Sequence, residues 1–465
     1  MIGKQREVNM TEGPFLKKIL LFVIPLILTG FLQSLYNAAD LMVVGRFRGD
    51  LALAAVGTTG SLTNLIVGLF MGLSVGAGVV VAQYLGALNH KAVERVVHSA
   101  ISIAAILGVA VGVIGFVFAP TLLRMMDTPD TVLNYAVLYI RIVFLGMPAQ
   151  MMYNYCASML RSTGDTFRPL LFLSISGLVN VLLNVVLVVA FGMGVEGVAI
   201  ATAASNYLSA IMILVYMHRQ EGCMHVSFRK LRLDRHIIGK ILYIGVPSGF
   251  QSALFSLSNV MIQASINGFG DVVMAGNTAG ANLEGFIYII MNAVSQASVT
   301  FVGQNVGARK YENIKRVTWY NLACVTILGL FSAGVVILFR YFFVGLYASG
   351  NPQVIEVAVG RILAVLPFHF LCGVMEVLGG ALRGMGKSIT TMVISLLGAC
   401  AFRILWVNTV LPLFPVVKCV YLSYPISWLL VVVCNAIFLI VEYRKHTRPK
   451  LVPKKKAVTE EIGVS

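Results

Sequence analysis

The sequence predicts an all-α integral membrane protein in which twelve transmembrane helices form two pseudo-symmetric six-helix bundles. Three observations carry that expectation: too little polar surface for a soluble globule, long apolar runs without strand-like alternation, and a pattern that the chain states twice. Of the 465 residues, 58% are hydrophobic and 12% charged, and the mean hydropathy is +0.87. Hydrocarbon offers peptide groups no partner, so the spans are helices of about 20 apolar residues or closed barrels. The lack of strict alternation selects helices.

Apolar runs separated by charged or Gly/Pro-rich breaks fall at 16–44, 52–85, 96–119, 131–153, 169–191, 195–217, 241–267, 274–303, 317–345, 354–380, 388–411 and 416–442. Several exceed the bilayer minimum, which implies tilt or extension beyond it. The first run is too long for a signal-peptide core and lacks a small-residue cleavage site, so it is expected to stay as the first span. With both ends on the inner side, 27 of the 35 basic residues fall on inner segments. Five (Arg46, Arg48, Arg124, Arg340, Lys418) fall on outer loops, and Arg141, Arg361 and Arg403 lie within runs. That asymmetry predicts a multi-pass protein of the cell membrane with both termini cytoplasmic.

A net charge of +16 could suggest nucleic-acid binding in a soluble protein. Here the excess flanks the membrane, as at Arg229-Lys230, Arg444-Lys445 and Lys454-Lys455-Lys456. Contact with anionic lipid explains it, and no nucleic-acid partner is expected. The seven cysteines, Cys156, Cys223, Cys324, Cys372, Cys400, Cys419 and Cys434, show no paired spacing and read as buried thiols.

The repeat organises the chain. Gln83-Tyr84-Leu85-Gly86-Ala87 with Arg95-Val96 returns as Gln304-Asn305-Val306-Gly307-Ala308 with Arg316-Val317, displaced by 221 residues. Leu160-Arg161-Ser162-Thr163-Gly164 returns as Leu382-Arg383-Gly384-Met385-Gly386, displaced by 222. Pro25 and Pro247, Gly49-Asp50 and Gly270-Asp271, and Arg141 with Pro148 and Arg361 with Pro367 are weaker echoes. The expected division is an N-terminal lobe over 1–217, a linker over 218–240, a C-terminal lobe over 241–443 and a basic cytoplasmic tail over 444–465. Six spans per half give both halves one orientation, around a shared central cavity. Gly72, Gly76, Gly78 and Gly379-Gly380 are expected where helices pack closely.

Only three carboxylates fall well inside the runs: Asp40, Glu284 and Glu376. A charge at membrane depth is costly, so each faces water, pairs with a cation or holds a proton. Gln33, Asn37 and Asp40 share a helix face with Tyr36 beside them. Asp40 there exchanges a proton, binds a cation, or pairs near the membrane surface with Arg46 or Arg48. Glu284, Tyr288, Asn292 and Gln296 recur every four residues, near Asn277 and Asn282, and could receive a cation or satisfy an arginine. Glu376 stands opposite Asn154 in the repeat, which suits a cation site in one lobe or a local pair with Arg361 or Arg403. Ser176, Asn180 and Asn184 form another stripe, able to bond a protonated acid or to join helices. Arg141 and Arg361, duplicated before a proline, read as helix-end anchors.

No HExxH, Walker loop, paired CxxC or Gly-x-Ser-x-Gly turn is present. The histidines at 90, 98, 218, 225, 236, 369 and 446 are scattered, most of them near loops, and make no metal set.

"YNAADLMVVGRF" between Pro25 and Gly49, the twin "VAQYLGA" and "FVGQNVGA", the turns "LRSTGDTFRP" and "LRGMGKS", and "GVEGVAIAT" at 194–202 together resemble the multidrug and toxic compound extrusion (MATE) transporters over nearly the whole chain. The resemblance implies an antiporter that exports organic, often cationic and amphiphilic, compounds while protons or sodium ions run inward. It implies no cofactor beyond that coupling ion, a small-molecule substrate, a bilayer and a monomer. Asp40 matches the first-helix acid of the proton-coupled bacterial branch, and Asn180 an Asn of its fifth helix. Asn184 stands where some relatives carry a second Asp. Sodium-coupled relatives carry acids in helices seven and ten, where this chain has none and only Glu376.

Two rival readings also fit a duplicated or acid-bearing membrane chain. A flippase of the same superfamily for lipid-linked saccharides would want a large cationic cavity, which the few basic residues within spans oppose. An integral-membrane enzyme would need clustered carboxylates for magnesium, and the three acids are too dispersed in sequence.

Overall fold

The computed structural model describes residues 9–347 and 351–447. Most of the basic tail, 448–465 with Lys454-Lys455-Lys456, lies outside the described residues. Among those described, twelve helices are long and apolar enough to cross a bilayer: α1 (Phe15–Phe47), α2 (Leu51–Gly86), α3 (His90–Met125), α4 (Asp130–Ser162), α5 (Phe167–Ala190), α6 (Val195–Arg219), α7 (Arg235–Asn267), α8 (Asp271–Gly307), α9 (Tyr311–Leu338), α10 (Pro352–Gly384), α11 (Ser388–Thr409) and α12 (Val417–Thr447). They form the two six-helix bundles that the sequence predicts. With 37 residues, α8 is about 55 Å long at 1.5 Å per residue and projects beyond the hydrocarbon.

The apolar run 317–345 resolves into α9 and a separate short helix, Arg340–Gly345. Arg340 turns its Nη1 back to Ile337 O at 3.0 Å and lies over the Tyr341 ring, marking the break.

The duplicated segments prove to be helix ends. Both α4 and α10 close on a glycine of positive φ, Gly164 at 93° and Gly386 at 79°, a conformation in which a β-carbon is costly. In each, the following amide reaches five residues back: Asp165 N to Leu160 O at 3.2 Å, and Lys387 N to Leu382 O at 2.9 Å. That Schellman closure satisfies carbonyls the helix would otherwise leave bare. The ends of α2 and α8 repeat the joint, with Asn89 N to Tyr84 O and Lys310 N to Asn305 O both at 3.0 Å.

Three spans depart from α geometry within the membrane. In α5 a π-helical turn, Val185–Ala190, follows Asn184 directly, and in α11 another covers Leu396–Ala401. In α10 a 3₁₀ turn over Leu366–Phe368 surrounds Pro367, which lacks an amide donor. The matching Pro148 sits inside an unbroken α4.

Packing does not divide where the sequence does. One hydrophobic core runs from Val44 to Ile244 with Val299; the other joins Met10–Leu26 to residues between Ile262 and Val431. The first half of α1 therefore belongs with the second bundle, where Phe22 meets Phe301 edge-on at 5.8 Å. Its second half turns to the first bundle and lays Tyr36 against Gly177, where a β-carbon would collide with the ring. The start of α7 makes the reverse exchange through Ile237, Ile241 and Ile244.

Both described chain ends meet the turn between α8 and α9: Met10 N donates to Gln304 Oε1 at 3.2 Å, and His446 stacks on Tyr311 at 4.7 Å. On this terminal face the bundles touch backbone to backbone. A β-carbon at Gly86 would collide with Gln304 O, one at Gly307 with Gln83 O, and one at Gly76 with Ile241 O. Glycine closes this side because nothing larger fits.

Candidate ion and substrate sites

The second half of α1 carries Asp40 into a polar nest made by α5 and α6. Asn184 Nδ2 donates to Asp40 Oδ1, and Thr202 Oγ1 to Oδ2 at 3.4 Å. Asn180 closes the ring: its Oδ1 accepts from Asn184 Nδ2 at 3.3 Å, and its Nδ2 reaches Thr202 Oγ1 at 3.5 Å. Asp40, Asn180 and Asn184 are all buried. Among the described residues Asp40 forms no ion pair, with Arg46 or any other cation. Charging a buried carboxylate costs several kcal/mol, of which each donor returns about 1.5–3 kcal/mol. With neutral partners only, the group can carry a proton or meet a small cation.

The second bundle holds a cavity of about 560 Å³ that also reaches Gly68–Val75 on α2 of the first. Tyr288, Asn292 and Gln296 line it with Glu284, as the four-residue spacing predicts, and Glu376 lies on its wall. Of the two readings that the sequence leaves open for each acid, an external cation or an arginine partner, the structure shows an arginine beside both, and for Glu376 it is Arg383 rather than Arg361 or Arg403. Arg361 grips Glu284 through Nε–Oε1 at 2.8 Å and Nη2–Oε2 at 2.7 Å, and its Nη1 reaches Asn277 Oδ1 at 2.5 Å. Arg383 Nη2 meets Glu376 Oε2 at 3.2 Å and Ser295 Oγ at 3.2 Å. A guanidinium that occupies both charge and lone pairs must be displaced before another cation binds.

Arg361 is likewise no helix-end anchor but a buried member of this cavity. Its sequence counterpart Arg141 stays at the bundle margin, with Nε 3.3 Å from Phe116 O and its guanidinium over the Phe116 ring. His369, one of the scattered histidines, is also buried here.

Gln33, Tyr36, Asn37 and Asn154 do not line this cavity. Tyr36 donates to Ser174 O at 3.2 Å, Gln33 and Asn37 are exposed, and Asn154 is half-buried in α4. The sequence did not mark Thr202 or Arg383 as site residues, and it offered Arg403 only as a partner for Glu376. Thr202 ends the "GVEGVAIAT" segment, a signal that names no partner, and Arg403 does not pair with Glu376, which Arg383 holds.

The MatE family model matches residues 25–186 and again 247–407. The chain therefore belongs to the MatE family, and it is a multi-pass membrane transporter of that family. It is 28% identical over 387 residues to "Probable multidrug resistance protein YoeA" of Bacillus subtilis, covering 81% of this chain and 82% of that one. It is 24% identical to "Probable multidrug resistance protein NorM" of Thermotoga maritima, with 83% and 84% covered. Among solved structures, an outward-facing multidrug resistance MATE family transporter superposes with a TM-score of 0.90 at 19% identity, covering 96% of this chain and all of that one. A MOP superfamily transporter from Pyrococcus furiosus, described as having a binding pocket of reverse polarity, superposes with a TM-score of 0.88 at 20% identity over 96% of this chain and all of that one.

Proposed function

We propose that this protein is a cation-coupled antiporter that exports organic, amphiphilic compounds by alternating access. Asp40 carries the coupling ion, and the cavity of the second bundle holds the substrate. The observation that supports this most is Asp40 itself, a buried carboxylate bonded by Asn184 and Thr202 with no counter-ion among the described residues. The match of Asp40 to the first-helix acid of the proton-coupled branch favours a proton over sodium. Because α1 packs in the second core before it delivers Asp40 to the first bundle, a change of charge at Asp40 acts on a helix that both bundles share. The Lys/Arg asymmetry supports a cytoplasmic terminal face, and since one chain contains both sites, a monomer suffices.

The flippase reading gains one observation, the three arginines around the cavity, but about 560 Å³ suits a drug-sized molecule better than a lipid-linked saccharide.

The test is efflux from proteoliposomes under separately imposed proton and sodium gradients. Wild type is expected to transport on the proton gradient, and Asp40→Asn to lose at least about tenfold in rate with normal insertion. Undiminished gradient-driven efflux by Asp40→Asn rejects the assignment.

A further inference from the structure

Among the described residues, the cavity in the second bundle holds one arginine more than its carboxylates can neutralise. Glu284 is taken by Arg361 and Glu376 by Arg383. Arg403, only 3% exposed, lies on the same wall with no acid partner among the described residues. Its Nε donates to Ser427 Oγ at 2.8 Å. Its guanidinium lies over Tyr424 at 4.4 Å and near Trp428 at 5.9 Å from the ring centroids. Neither Nη meets a protein acceptor among the described residues. His369, 4% exposed, stands edge-on to Trp428 at 5.1 Å with both ring nitrogens lacking a hydrogen-bond partner.

A buried guanidinium stripped of water loses several kcal/mol. A cation–π contact on a desolvated cation returns about 2 kcal/mol or more, and the charge-assisted bond to Ser427 about 1.5–3 kcal/mol. The donors left over are those of the two Nη atoms. With Nε fixed on Ser427 and the plane held against Tyr424, the free Nη edge offers parallel N–H donors to the two oxygens of a carboxylate.

We propose that this cavity binds its substrate by a carboxylate held on Arg403, with the aromatic or apolar body of the molecule along Tyr424, Trp428 and Tyr288. The proposal rests on reading the cavity as the substrate site, and it reverses the charge that the family resemblance leads one to expect. The preferred compound is a zwitterion or monoanion rather than a simple organic cation.

The test uses the full chain in detergent and two dyes of one skeleton: rhodamine B, which carries a free carboxylate, and its ethyl ester, which does not. Fluorescence anisotropy reads both affinities. Wild type is expected to bind the acid about tenfold more tightly, the scale of one charge-assisted pair. Arg403→Gln is expected to erase that preference while ester binding stays within about twofold, which also shows that the variant folds. Arg403→Lys, with charge but no fork, is expected to keep only part of the preference. Equal or tighter binding of the ester by wild type overturns the proposal, and so does an equal loss for acid and ester in Arg403→Gln. No gradient is involved, so failure here leaves the antiporter reading standing. Acid-selective binding without transport on any gradient removes that reading and keeps this one.

Discussion

Gln83 and Gln304 cross the interface between the bundles in opposite directions and end on equivalent atoms. Gln83 Nε2 donates to Gly384 O at 3.0 Å, at the end of α10, and Gln304 Nε2 donates to Ser162 O at 2.7 Å, at the end of α4. The donors are 221 residues apart and the acceptors 222, so the two duplicated motifs are the two halves of one reciprocal clasp. It closes the terminal face, and any opening there must break both bonds.

Because the bonds are equivalent, Gln83→Ala and Gln304→Ala are expected to weaken the closed arrangement by similar amounts, about 1 kcal/mol each. Gln304 also accepts from Met10 N, so its loss should be somewhat the larger. Distance distributions between spin labels at His90 and Lys315 check this. An unchanged short-distance population in the double variant would contradict it.

A larger effect is expected at Gly86, where a β-carbon meets Gln304 O rather than a movable side chain. Gly86→Val should cost about 1–3 kcal/mol in the closed form. On the same label pair, the short-distance population is expected to fall about tenfold.

Glu284 and Arg361 are expected to behave as a structural ion pair. Glu284→Gln leaves a buried guanidinium short of its partner and should destabilise the protein by about 3–5 kcal/mol. Pairing it with Arg361→Gln should recover much of that loss in thermal unfolding. If instead the double variant is as unstable as the single ones combined, the pair is not what holds these residues.

At the terminal face the Lys310 ammonium, 2.5 Å from Glu12, holds that carboxyl below its ordinary 4.5. A lowered folded value means that the docking of the N-terminal segment is favoured above the ordinary carboxylate range and is lost as pH falls through the lowered one. The pair is exposed and screened by salt. Glu12→Gln at neutral pH is therefore expected to raise maleimide labelling of a Thr11→Cys variant no more than a few-fold, with the difference vanishing in high salt.

Twelve spans, two bundles and the clasp motifs were legible because apolar length and internal repetition are properties of the chain itself. The face shared by Glu284, Tyr288, Asn292 and Gln296 was legible for the same reason, since four-residue spacing fixes a helical face. What the sequence hid was tertiary. Nothing in spacing says that Arg361 reaches Glu284 across 77 residues, or that Arg383 rather than Arg361 or Arg403 takes Glu376. Nor does it say that α1 leaves one core for the other midway, since its apolar run continues through the change of partner.

The central claim is that Asp40 gives up its ion when substrate binds. The most direct measurement is proton release when a transported compound is titrated into weakly buffered, solubilised protein. The account expects about one proton per bound substrate from wild type, and none from an Asp40→Asn variant that still binds. Equal release from the variant, or no release from wild type at any pH, would contradict it.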